Sequence, residues 1–452
     1  MKVEQFYDKA LAHGSYAVVS ENEVALVDPG RDPKPYLDFA RENDAEIVAV
    51  FETHPHADFA SSHLEFYQKY GAKIYINSKV GVAYPHEAMD DGEEIEFGKV
   101  TMRALFTPGH SPDHNTYLLL DESGKPHSVY TGDSLFVGDV GRPDLREGAG
   151  NIQMEREKLA RMMYQTLHDV FEPLDDEVKV YPAHGAGSLC GRNMSEDTHS
   201  TIGREKKENW AFQISTEDDF VKALLEDQPF IPKYFPYDVE INRSGSAPFE
   251  ESVAAVPRMG LNADLDPGVL VVDTRAQELF KEGGHAQGAL NIMEGEKFET
   301  WLGSLVDPQE SFYLVADNVE ELESVIRKAA KIGYETNIKG ALVVTADFFK
   351  NKSTVLDLDY FTSNPENFTI IDLRNASEVK EGKFFDHAVN IPLPELRERV
   401  QEIKTDKPIL VHCAGGYRSA AGFSILEGAL PDANVLDLSE AVTTFMTHLE
   451  LP

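Results

Sequence analysis

Apolar residues in the first two hundred or so positions fall into short β-branched and aromatic runs, separated by stretches with helical spacing. The runs YAVVS, VALVD, EIVAVFET, KIYIN, VTMRALFTP, NTYLLLD, HSVYTGD and VKVYPAH predict strands, and PYLDFARENDA and EREKLARMMYQTLHDVF predict helices. Strands alternating with helices in this way indicate an α/β domain. A further helical stretch, STEDDFVKALLEDQ, leads into PFIPKYFPYDVEINRSGSAPFEE. That tract has no periodicity and reads as a wrapping tail and linker, which puts a domain boundary near residue 245.

Beyond the boundary the chain repeats itself. VVDTRAQELFKEGGHAQGALNI and IIDLRNASEVKEGKFFDHAVNI match at Asp273/Asp372, Arg275/Arg374, Lys281/Lys380, Glu282/Glu381, Gly283/Gly382, Ala289/Ala388 and Asn291/Asn390, always 99 positions apart. In each copy a β-rich run follows, SFYLVAD and then KPILVHC, and after it a helical segment. The expected organisation is one domain over 1–245 and two small α/β modules over 246–350 and 351–452.

Composition narrows the class. A chain of 452 residues with 42% hydrophobic and 27% charged residues has the make-up of packed globular domains. The formal net charge of −36 excludes a general binder of the nucleic-acid backbone, which needs a basic surface. No apolar run is long enough for a membrane span, and Glu4 and Asp8 interrupt the N-terminal stretch where a signal peptide needs apolar residues. A cytoplasmic location is expected. Cys190 and Cys413 are the two cysteines, a usage that points to a reducing compartment and to thiols retained for chemistry.

Ligand-type side chains gather at strand ends. His54, His56 and Asp58 follow the run EIVAVF, and His110, Asp133 and His184 each follow the last residues of another apolar run. Strand ends along one sheet edge can face a common crevice, so four such placements point to a metal centre. In the last module Cys413 closes a strand, and the loop CAGGYR precedes a small-residue helix expected from about Ser419. Gly415 and Gly416 let backbone N–H groups turn inward as an anion nest, and Arg418 adds a positive charge beside the helix, an arrangement that favours a reactive thiolate.

The segment His54-Pro-His56-Ala-Asp58-Phe59 resembles the metallo-β-lactamase superfamily signature, with Phe59 where its last histidine would stand. A phenyl ring has no lone pair to donate, so one metal is expected where dinuclear relatives hold two. What remains is similar to the persulfide dioxygenase branch. That resemblance implies Fe(II) held by His54, His110 and Asp133, with His56, Asp58 and His184 orienting ligands and metal-bound water. A direct-ligand role for His56 stays open. Iron suits the chemistry implied, because two imidazoles and one carboxylate leave positions free for sulfur and O2, whereas zinc offers no redox step.

GDVGRPDL also resembles that branch, leaving Arg142 either in contact with an anionic substrate or in a surface salt bridge. Cys190, six residues after His184, is either a packing residue or one that receives or relays persulfide. The Cys413 loop with DLR and HAVNIP resembles the rhodanese family, in which the loop cysteine carries sulfane sulfur. The first copy is similar through DTR and GALNI but ends its strand at Asp317, and a carboxylate cannot carry sulfur.

The expected fold is thus an α/β metallo-β-lactamase αββα sandwich followed by two rhodanese-like domains, the first of them without its thiol. The expected activity is oxidation of a low-molecular-weight thiol persulfide by O2 to sulfite, coupled to thiosulfate or persulfide sulfur transfer at Cys413. Glutathione, coenzyme A and other carriers all stay open, as does the direction of transfer, and the family branch leans towards homo-oligomers. The alternatives are a mononuclear zinc thioester hydrolase of the glyoxalase II type fused to rhodanese, and a non-enzymatic metal domain that recruits a sulfurtransferase.

Overall fold

Two sheets stand face to face in the first compact unit, Met1–Val253 with Ala330–Gly333, and two others belong to the second, Ala254–Ala329 with Tyr334–Pro452. The structure is a computed structural model that describes residues 1–147, 149–150, 152, 154–260, 263–345 and 348–448.

The first sheet contains β1 (Lys2–Asp8), β2 (His13–Ser20), β3 (Glu23–Val27), β4 (Glu46–Phe51), β5 (Lys73–Ile76) and β6 (Glu87–Ala88), in that order. β1, β2 and β3 are antiparallel, and β3 to β6 run parallel. The second sheet contains β7 (Glu94–Phe97), β8 (Val100–Phe106), β9 (Asn115–Leu120), β10 (Pro126–Gly132), β11 (Lys179–Pro182) and β12 (Ser200–Thr201), ordered β12-β11-β10-β9-β8-β7.

The two-residue period of a strand builds the layers. Tyr16, Val18, Val27 and Phe51 meet Met102, Ala104, Tyr117 and Leu119 between the sheets. The alternate residues Ala17, Val19, Leu26 and Val50 face outward onto Tyr36 and Phe39 of the helix Lys34–Glu42 and Phe66 of the helix His63–Tyr70. On the far side, Leu118, Leu120, Val129 and Val180 pack against Ala160 and Met163 of the helix Arg156–Thr166 and Phe220 and Leu224 of the helix Glu217–Leu225. The result is an αββα sandwich with all eight expected strands in place.

The tract expected as a linker contains the helix Phe235–Ser244 and the start of another, Phe249–Ala255. Pro236 sits in the first turn of the former, where its missing N–H costs nothing, and buried Asn242 lies near its end. Asn242 donates to the carbonyls of His56 and Phe59 and accepts from Ser61 N–H. The tract therefore ties down the loop that bears the histidine motif.

In the second unit one parallel sheet contains β13 (Arg258–Met259), β14 (Leu270–Asp273), β15 (Leu290–Asn291), β16 (Phe312–Ala316) and β17 (Ile338–Val343), ordered β13-β17-β16-β14-β15. The other contains β18 (Thr369–Asp372), β19 (Val389–Asn390), β20 (Ile409–His412) and β21 (Val435–Asp437), ordered β19-β18-β20-β21. The shared order is the structural form of the repeat.

Its matching residues have the same duty in both copies. Arg275 makes a two-point contact with Asp273, and Asn291 donates to the carbonyls of Asp273 and Arg275. Arg374, Asp372 and Asn390 reproduce the arrangement. The repeat is thus an architectural lock. Strand register corrects one correspondence: Asp273 lies opposite Val315 and Asp372 opposite His412, so the place of Cys413 falls on Ala316, one residue before Asp317. Neither residue carries a thiol.

Candidate metal centre and thiol loop

The loops after β4, β8, β10 and β11 bring His54, His110, Asp133 and His184 together in the buried interior. Gly132, the last residue of β10, has φ +50°, and a Cβ there would come within 2.5 Å of both His114 Nε2 and Thr53 Oγ1. Only glycine lets the strand turn so closely at the point where it delivers Asp133.

The imidazoles are held in one tautomer by their neighbours. Thr53 donates its hydroxyl proton to Asp28 Oδ2 at 2.9 Å, so its oxygen is left to accept from His54 Nδ1–H at 3.0 Å. His110 Nδ1–H donates to the Arg142 carbonyl at 2.8 Å. Each Nε2 therefore keeps its lone pair, and these atoms lie 3.9 Å and 3.5 Å from Asp133 Oδ2. Burial, with neighbouring imidazoles and the Arg146 guanidinium, holds the His54 pKa well below the ordinary histidine value. Burial also lowers His110, against the opposing pull of Asp133. Neutral imidazoles of this kind are ready to ligate a cation.

Neither Asp133 oxygen has a hydrogen-bond partner, although both are buried. Burying a carboxylate this way is costly unless a cation compensates it. His54, His110 and Asp133 thus form a site whose donors fit a metal ion, with their ligand atoms all within 4.8 Å of one another.

The other motif residues lie beside this group. His56 Nε2 is 3.0 Å from Asp28 Oδ1, although the residue also lies within reach of Asp133 and His184. Burial would depress its pKa, but Asp28, with Glu52 and Asp133, raises it. Asp58 Oδ1 lies 3.4 Å from His184 Nε2, which is 3.6 Å from Asp133 Oδ1. Burial acts to lower His184, yet the Asp58 and Asp133 carboxylates outweigh it and hold the imidazole well above its usual pKa. Cys190 groups with Asp58 and His184, its thiol pushed up by burial and by those two carboxylates. Phe59 lies 3.8 Å from His13 and 4.5 Å from His56, ring centre to ring centre. Beside it opens a cavity of about 260 Å³ lined also by Leu11, Arg31 and Tyr36.

Arg142 has a place unlike either expectation. It is buried, and all five N–H groups of its guanidinium are engaged, with both Asp144 oxygens and the carbonyls of Leu189, Pro229 and Phe230. Its partners lie up to 88 positions away in sequence, so it braces loops that surround the site and has no donor left for a substrate. The carbonyl of the same residue orients His110.

Several groups escaped the sequence reading. His114 accepts from Asp133 N–H at 3.1 Å, and the buried Arg146–Asp113 pair stands nearby. The spacing His110-Ser-Pro-Asp-His114 was the available signal for both His114 and Asp113.

In the second unit Cys413 lies just beyond β20, with its Sγ buried and accepting Gly416 N–H at 3.1 Å. Gly416 has φ +98°, the left-handed turn that aims this N–H at sulfur, while Gly415 is exposed at the loop's tip with open space around it. The helix begins at Tyr417, two residues before the expected Ser419. Arg418 makes a two-point contact with Glu378, at 2.6 and 2.8 Å.

A metallo-beta-lactamase superfamily model matches residues 10–184, and a rhodanese-like domain model matches residues 357–446. The cytoplasmic hydroxyacylglutathione hydrolase of Arabidopsis thaliana is 31% identical over 231 residues, 48% of this chain and 83% of that protein. The chain belongs to the metallo-beta-lactamase superfamily. Within that superfamily it is also similar to the human mitochondrial persulfide dioxygenase ETHE1, at 26% identity over 203 residues, 45% of this chain and 71% of the relative. A crystal structure of a metallo-beta-lactamase from Staphylococcus aureus subsp. aureus COL aligns with a TM-score of 0.67 and 30% identity, over 76% of this chain and 99% of that one. This superfamily member therefore joins a metallo-hydrolase-type sandwich to a rhodanese-like domain that carries Cys413. Among the described residues no helix is long and apolar enough to cross a membrane.

Proposed function

We propose that the chain is a non-haem iron persulfide dioxygenase coupled to a sulfurtransferase. The observation that carries this reading is the donor set itself: His54, His110 and Asp133 converge with neither Asp133 oxygen accepting a hydrogen bond, and Phe59 withholds a lone pair from any second ion. Fe(II) bound there would supply open positions at which a persulfide sulfur and O2 meet. Thr53 and the Arg142 carbonyl fix the imidazoles in the ligating tautomer. The cavity beside Phe59 receives the carrier thiol, whose identity is open between glutathione, coenzyme A and similar small thiols.

One persulfide, O2 and water give sulfite and the free carrier thiol at the first site, and a second persulfide passes its sulfane sulfur to the Cys413 thiolate as its own carrier thiolate leaves. A persulfide on Cys413 attacked at its outer sulfur by sulfite forms thiosulfate, and the cysteine leaves as thiolate with the electron pair. Three domains carry this out: the metal domain over 1–245, a rhodanese-like module over 246–350 without a thiol, and the active module over 351–452. The protein works in the cytoplasm as a homo-oligomer. For Cys190, buried beside Asp58 and His184, the packing role and the persulfide-relay role both stay open.

A zinc thioester hydrolase is the second reading. It is favoured by the 31% identity to a hydroxyacylglutathione hydrolase and by Asp58 Oδ1 and His184 Nε2, buried side by side without hydrogen-bond partners. Oxygen-electrode traces with glutathione persulfide, run beside a lactoylglutathione hydrolysis assay, separate the two. Uptake of O2 without thioester cleavage is expected, and cleavage without uptake would overturn the proposal.

A further inference from the structure

Charge at the thiol loop is arranged unlike an anion trap. Each Arg418 Nη donates one N–H to a Glu378 oxygen, which pairs the guanidinium charge with a carboxylate, and the two side chains have exposures of 17% and 33%. Glu378 is itself fixed, because Oε2 accepts Asn375 N–H at 3.0 Å in a capping box at the start of the helix Ala376–Glu381. The next cation, Arg374, is committed to Asp372, and Glu440 packs against Gly416. What faces Cys413 Sγ is the backbone N–H of Gly416, and the nearby guanidinium charges are matched by carboxylates.

The repeat provides an internal comparison. At 99 positions before Glu378 stands Leu279, exposed to solvent, and the helix after β16 opens Val319-Glu320-Glu321 where the active copy has Tyr417-Arg418. Both ends of the ion pair are missing from the copy that lacks the thiol. The pair accompanies the thiol and is no part of the Asp–Arg–Asn lock that both copies share.

We propose that Glu378 determines which sulfur donors Cys413 accepts: by holding Arg418 it leaves a loop suited to a persulfide with at most one charge at its sulfane sulfur, and poor for a dianion such as thiosulfate. The inference rests on the reading of Cys413 as a sulfur carrier. In either loading step the Cys413 thiolate attacks the sulfane sulfur and a new S–S bond forms. The old S–S bond breaks, and the leaving group, a thiolate from a persulfide or sulfite from thiosulfate, departs with its electron pair. An arginine freed from Glu378 would add charge-assisted hydrogen bonds to the sulfonate oxygens of thiosulfate and to nothing comparable on a persulfide.

The experiment loads Cys413 in the full-length holoenzyme with thiosulfate or glutathione persulfide, reading persulfidation by mass spectrometry after rapid alkylation. Glu378→Gln keeps the acceptor of the capping box, so the helix start survives. Its half-saturating thiosulfate concentration is expected to fall about tenfold, the low end of what one charge-assisted bond contributes, while that for glutathione persulfide moves less than about threefold. Glu378→Asp, which keeps the charge, should stay near wild type for both donors. An unchanged or raised thiosulfate value in Glu378→Gln, or loss of loading from both donors, would make Glu378 merely structural. Wild-type protein that loads from neither donor would instead remove the sulfur-carrier reading itself.

Discussion

Phe59 follows Asp58, which with His184 could hold a second cation, and its ring packs against both His13 and His56. Replacing it with histidine restores a lone pair at little cost in volume. Phe59→His should therefore raise bound metal from about one to about two ions per chain in elemental analysis, and a variant that still binds one would place the limit elsewhere. Arg142 calls for a different test, because its guanidinium is spent on the protein. Arg142→Ala strands the Asp144 carboxylate and three carbonyls and should cost about 3–5 kcal/mol in urea unfolding. A fully stable variant with a defect only in substrate binding would restore the role first expected from sequence.

The helix Val319–Lys331 opens with Glu320 and Glu321, close to Asp317 at the end of β16. Burial and a hydrogen bond shared with Asp317 raise Glu321 to about 7. An acid whose folded pKa exceeds its unfolded value binds more protons when folded, so its contribution to stability is full below the unfolded value near 4.5 and is lost as pH rises through 7. Glu321→Gln should raise the melting temperature at pH 8 and leave it nearly unchanged at pH 4; equal shifts at both would contradict the assignment.

Elements at this scale were legible where burial leaves a pattern. β2, β4 and β9 have apolar runs because both their faces are covered. β1 shows no such run, since it is an edge strand paired only with β2. The helix Phe235–Ser244 carries buried polar residues, Asp238 and Asn242, where an apolar stripe would have marked it. The ligand residues could be placed because each follows a readable strand. Arg142's bracing role and the Glu378–Arg418 pair could not, because the carbonyls Arg142 holds stand 47 to 88 positions away, Glu378 stands 40 from Arg418, and only folding brings them together.

Two chemistries share one chain: a buried metal-type site in a sandwich of two six-stranded sheets, and a thiol loop at the end of a parallel sheet in the other unit. If the division of labour is as proposed, Cys413→Ser should abolish sulfur transfer and leave persulfide-dependent O2 uptake within about twofold of wild type. Matching losses of both activities would mean that Cys413 also serves the oxidative step. The proposed function depends on which cation the first site holds and how many. Elemental analysis of protein purified without oxygen measures that directly: about one iron per chain, lost when Asp133 is replaced by alanine, is predicted, whereas zinc, or two ions per chain, would contradict it.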